Sequence, residues 1–177
     1  MTIRIPAQMF ELWRACEKKK PFRYPGLTSV RIVADGQKVL LTATDGAIIA
    51  HASFPAVAES FTCYLHRDSA RLVARAGGMA EIGAGVVKVG DLSLATSPGS
   101  PEYFPSNIES YGFSRGRYYP GTEAHNTLFS IASKAILADT FYSVRLGEIS
   151  EFKGSSMGVD YRFLVMSASK PERVKCE

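Results

Sequence analysis

Cysteine, tryptophan and histidine are scarce in this chain: 177 residues hold three, one and three of them. Cys16, Cys63 and Cys176, odd in number and widely spaced, form neither a disulfide framework nor a zinc site. His51, His66 and His125 lack the H-E-x-x-H spacing or any comparable ligand pattern. No apolar run approaches the ~18 residues of a membrane span. The first six residues, Met-Thr-Ile-Arg-Ile-Pro, carry no apolar signal-peptide core. Carboxylates are scattered through turns and polar strand positions, and no pair is spaced for general acid–base work. Together these absences imply a reducing cytoplasm, no membrane, no metal, no cofactor and no enzyme.

What the chain does have is an ordinary globular composition, 46% hydrophobic and 21% charged residues, enough to bury a core without staples. Its net charge of +4 is unevenly placed. Residues 1–75 hold 11 Lys or Arg against 6 Asp or Glu, whereas residues 76–177 hold 10 against 11. An excess of this kind attracts a polyanion without naming it; a solvated basic face is the bland alternative.

Elements follow from periodicity. Residues 6–20 open with proline and read as an α-helix, with Met9, Leu12, Trp13 and Cys16 at i, i+3, i+4, i+7 facing a core. Residues 28–34, 39–44 and 47–53 alternate as strands, divided by Asp35-Gly36 and Asp45-Gly46 turns. The pattern recurs with a strand at 61–65, a helix at 67–76 and a hairpin at 86–89 and 92–96 around Gly90-Asp91. Residues 111–125 read as a linker or surface loop. A third unit follows: a helix at 128–138, a strand at 142–149 and a closing strand at 161–168 after a Gly154–Gly158 turn. Residues 169–177 form a tail. The expected organisation is two half-units in 1–110 and an additional half-domain unit in 126–168, in an α+β fold with helices on one face of the sheets.

Chance motifs can be set aside. Gly154-Ser155-Ser156-Met157-Gly158 fits G-x-S-x-G, but a strand follows where a nucleophile elbow needs a helix. His66-Arg67-Asp68 imitates a kinase catalytic loop without its asparagine or its phosphate loop. The basic residues are more suggestive. Arg67, Arg71 and Arg75, spaced i, i+4, i+8, form one stripe on the second helix. Arg14 and Lys18 repeat the spacing on the first helix, with Lys19 and Lys20 beyond. Side chains held this way reach successive phosphates without reading bases.

Residues 27–46, with Leu41-Thr42-Ala43-Thr44-Asp45 at their end, resemble the first half-domain of bacterial β-type DNA sliding clamps. The stretch from Cys63 through Arg71-Leu72 to Pro101-Glu102-Tyr103-Phe104-Pro105 resembles the second half-domain. Tyr161-Arg162-Phe163-Leu164-Val165-Met166 is similar to the strand closing the last clamp domain, with Ser167 where proline usually follows. This resemblance covers residues 1–106 and, more loosely, 126–168.

It implies a processivity factor for DNA replication or repair whose helices line a ring and present Arg14, Lys18, Lys19, Arg67, Arg71 and Arg75 to duplex DNA, independent of sequence. Trp13, Leu12 and Leu72 would serve the core. Bacterial clamps carry three domains per chain, and this chain about one and a half; four copies would supply twelve units, so a homo-oligomer is expected. The alternative is a clamp-fold interaction module that binds a replication protein through an exposed strand edge and does not encircle DNA. A small hydrolase using Ser156 is a third reading.

Overall fold

Two antiparallel sheets and three helical segments organise the computed structural model, which describes residues 2–16, 25–46, 48–83, 85–101, 104–105, 119–120, 140–146 and 149–166. The chain starts with β1 (Ile3–Pro6) and a helix over Ala7–Ala15. A short turn of helix at Pro25–Thr28 leads to β2 (Ser29–Ala34), β3 (Lys38–Thr44), β4 (Ile48–Pro55) and β5 (Phe61–His66). Helix α1 (Arg67–Ala76) precedes β6 (Met79–Gly83), β7 (Val86–Val89) and β8 (Leu92–Ala95). Beyond it come β9 (Tyr119–Pro120), β10 (Thr140–Leu146), β11 (Ile149–Ser156) and β12 (Val159–Met166).

The strands order as β1-β6-β7-β8 in one sheet and β5-β2-β3-β4-β12-β11-β10-β9 in the other. The long sheet is continuous because β12 pairs antiparallel with β4, from Asp160 opposite Ser53 to Val165 opposite Ile48. A two-strand bridge ties the sheets: the Tyr64 and Ser97 backbones exchange N–H···O bonds of 2.8 and 2.9 Å.

Strand alternation sorts the long sheet into two faces. Ile32, Leu41, Ala52 and Tyr161 stand opposite one another across β2, β3, β4 and β12, on the core side. There they meet Met9, Phe10 and Leu12, all fully buried. One residue along, the opposite face carries Arg31, Thr42, His51, Arg162 and Lys153 in register. Two side chains of that face are closely paired: Glu151, fully buried, with Arg162, while Lys153 lies 3.7 Å from the same carboxylate oxygen.

Three sequence expectations need correction. The first helix is a 3₁₀-helix ending at Ala15, not an α-helix over 6–20, although residues 17–24 lie outside the described set. Its side chains eclipse every three residues. Met9, Leu12 and Ala15 form a buried row; Gln8, Glu11 and Arg14 form a half-buried polar row. The sequence fits a period of three as well as 3.6, and that ambiguity hid the difference. Second, Gly154 to Ser156 lie inside β11, and the turn is Met157-Gly158 alone, both at positive φ (51° and 77°). So β10 and β11 make a hairpin where a single strand at 142–149 was expected. Third, Leu72 is 45% exposed and does not serve the core; Ala70 and Val73 are the buried residues of α1. The expected helix at 128–138, the tail at 169–177 and the linker at 111–125, apart from Tyr119–Pro120, fall outside the described residues. Of the expected additional unit at 126–168, residues 140–146 and 149–166 are described, and they form β10, β11 and β12.

Candidate nucleic-acid interface

Helix α1 spans Arg67–Ala76, the length its spacing predicts, for local reasons. His66 Nδ1 accepts the Asp68 N–H at 3.3 Å, capping an orphan donor of the first turn. Asp68 stands at the positive end of the helix dipole and Arg75 at the negative end. Gly77, at φ 70°, then turns the chain out, and Gly78 accepts a bond from the Ala7 N–H at 2.9 Å. That bond fixes the start of the 3₁₀-helix beside the end of α1.

Small residues at the contact let the two helices pack side by side. Ala70, Val73 and the partly buried Ala74 of α1 join Ala7, Phe10 and Ala15 in one core. Both helices lie on the apolar face of the long sheet, the 3₁₀-helix against β2, β3 and β4 and α1 against β2 and β5. The β11–β12 hairpin reaches the same place. Gln8 Nε2 donates to the Ser156 carbonyl at 3.5 Å, and burial pushes the Tyr161 phenol up to about 12 despite a hydrogen bond with Gln8.

Four of the six expected DNA contacts are therefore located on two helices in mutual contact; Lys18 and Lys19 lie outside the described residues. The four are not equivalent. Arg14 is committed to a neighbour, its Nε donating to Glu11 at 2.7 Å along the polar row. Arg67 is 84% covered and lies 3.5 Å from the Asp68 carboxylate. Arg71 is half-buried, with its guanidinium carbon 5.4 Å from the centroid of the Trp13 ring. Arg75 is exposed in the last turn. Among the described residues no carboxylate pairs with Arg71 or Arg75.

Trp13 is half-buried and packs against the core as expected, and it also carries the Arg14 guanidinium at 4.8 Å from its centroid. An indole face attracts cations through its quadrupole, so Trp13 joins one arginine from each helix. Adjacency to Arg14 was visible in the sequence; the approach of Arg71, 58 positions away, was not.

The proposed nucleophile motif dissolves in this geometry. Ser156 ends β11 and leads through a two-residue turn directly into β12, so the strand-to-helix elbow is not formed. Among the described helices, none is long and apolar enough to cross a membrane.

No protein-family model matches the chain, and no curated protein matches its sequence. Solved structures do. The Helicobacter pylori beta clamp superposes with a TM-score of 0.68 at 8% identity, covering 95% of this chain and 66% of the clamp. The Pseudomonas aeruginosa DNA polymerase sliding clamp gives 0.68 at 12% identity, over 96% and 67%. DNA polymerase III beta subunit from Thermotoga maritima gives 0.63 at 12%, over 97% and 66%. The chain thus spans about two-thirds of the length of these clamps, and across that span it has the fold of a bacterial beta sliding clamp.

Proposed function

We propose that the protein is a non-catalytic, sliding-clamp-like factor that binds duplex DNA through phosphate contacts and acts as an accessory to replication or repair. The observation that carries this reading is the packing of the Arg14 helix against α1, with Arg14 and Arg71 both at the Trp13 ring. The fold shared with DNA polymerase sliding clamps supports it. Arg71 and Arg75 are the principal contacts, Arg14 and Arg67 the secondary ones, and Lys18 and Lys19 extend the set. A homo-oligomer that closes a ring is part of the proposal.

A duplex-binding titration at several salt concentrations tests it. Affinity should fall steeply with salt and hardly vary with base sequence. Replacing both Arg71 and Arg75 by Gln should lower the log–log salt slope by about 0.9 per lost contact. A slope unchanged by both substitutions overturns their role. A lasting monomer in solution overturns the ring.

One observation favours a second reading, the interaction module. Strand β8 is the outer strand of its sheet, and Leu92, Ser93 and Ala95 are exposed along it. Such an edge can accept an added strand from a partner. A protein partner recovered by pull-down with no DNA shift at low salt would select this reading over the first.

A further inference from the structure

Resting on the DNA-binding reading, we infer that Trp13 is a positioning residue of the phosphate contact, holding Arg71 as a preformed anion receptor at the seam between the two helices. Three observations converge. The Arg71 guanidinium lies against the indole, and no described carboxylate neutralises it. Among the described residues its buried Nε has no hydrogen-bond partner. The second cation on the same ring, Arg14, is already neutralised by Glu11. The cluster therefore retains one uncompensated positive charge, located at Arg71.

A flexible arginine loses rotamer freedom when it grips a phosphate, and that loss opposes binding. The indole removes part of the loss beforehand by restricting the side chain against a flat face. A cation–π contact of this kind uses no N–H donor, so the terminal guanidinium N–H groups remain for acceptor oxygens. The partner class is a phosphodiester backbone. Trp13 also makes Arg14 and Arg71 a single element, so both helices engage the duplex in a fixed relation.

Trp13 is the only tryptophan, so emission excited selectively from tryptophan and not from the eight tyrosines reports on this cluster. Duplex DNA should change the emission of the full chain in step with binding, and Arg71→Gln should abolish most of that change. In the salt titration, Trp13→Leu should weaken binding about two- to five-fold at fixed salt. It should also reduce the slope toward that of Arg71→Gln. Trp13→Phe, which keeps an aromatic face, should restore most of both. Arg71→Lys keeps the charge but not the planar, multi-donor head group, and should bind less tightly than the parent.

If Trp13→Leu folds and binds with parental affinity and slope, the inference is overturned while the DNA-binding reading stands. If Trp13→Leu does not fold, the Phe and Lys variants decide: parental emission response and affinity in Arg71→Lys overturn it. Should the parent itself fail to bind duplex at low salt, the reading beneath falls, a result distinct from either.

Discussion

The Thr42 side-chain oxygen and His51 Nδ1 lie 3.0 Å apart on neighbouring strands, both residues buried, while the other ring nitrogen of His51 has no hydrogen-bond partner. Burial, and then the Arg162 guanidinium opposite it on β12, lower the imidazole to about 4. The unfolded chain's histidine titrates near 6.5 and so binds a proton the folded one refuses. Stability is full above about pH 6.5 and falls as pH drops toward 4. The shift corresponds to roughly 3 kcal/mol once the loss is complete. Denaturant unfolding at pH 7.5, 5.5 and 4.5 should show the loss, and His51→Gln should flatten it. An equal acid loss in that variant would place the sensitivity elsewhere.

Glu151 has a fully buried side chain whose charge is met by Arg162, itself 85% covered, and by Lys153. Burying a carboxylate is costly unless it remains paired. Arg162→Leu should therefore cost about 3–5 kcal/mol. Replacing Arg162 and Glu151 together by Leu should cost much less. A double-mutant cycle in urea measures the difference, and additive effects would show the pair to be uncoupled.

How much of this was legible beforehand differs by element. Helix α1 could be read residue for residue, because Asp68, Arg75 and Gly77-Gly78 are local signals that agree with its spacing. The β2–β3 hairpin was equally plain: the Asp35 side chain accepts the Gln37 and Lys38 N–H groups, which also hold its carboxyl below the usual range. Less visible was β1, four residues whose strand character comes from pairing with β6, some 75 positions away. The pairing of β12 with β4 was hidden for the same reason, and with it the polar row from Thr42 to Lys153. For the candidate contacts, spacing put Arg67, Arg71 and Arg75 on one helix, and α1 contains all three. It gave no hint of which cations already have carboxylate partners, since Arg71 meets Trp13 only through helix packing.

Met157 occupies the first position of the β11–β12 turn at φ 51°, a left-handed backbone that disfavours a side chain. It is 77% exposed, so nothing in the packing requires methionine there. Asparagine tolerates this conformation and would give the Asn-Gly pair favoured in two-residue hairpins. Met157→Asn should stabilise the fold by about 0.5–1 kcal/mol, read as a higher melting temperature. A lower one would mean that Met157 makes contacts worth more than its backbone cost.

Glu11 sets how much of the Arg14 charge remains for a phosphate. The 2.7 Å pair is an i,i+3 contact on a 3₁₀-helix, where those positions eclipse, so the two side chains meet with little rearrangement. Both are partly exposed, and the pair itself contributes at most about 1 kcal/mol to stability. Glu11→Gln should accordingly leave the melting temperature nearly unchanged. Its effect should appear in DNA binding: removing the carboxylate releases Arg14, tightens binding at low salt and steepens the salt slope by up to about 0.9, one phosphate contact. Unchanged affinity and slope would mean that Arg14 does not face the duplex.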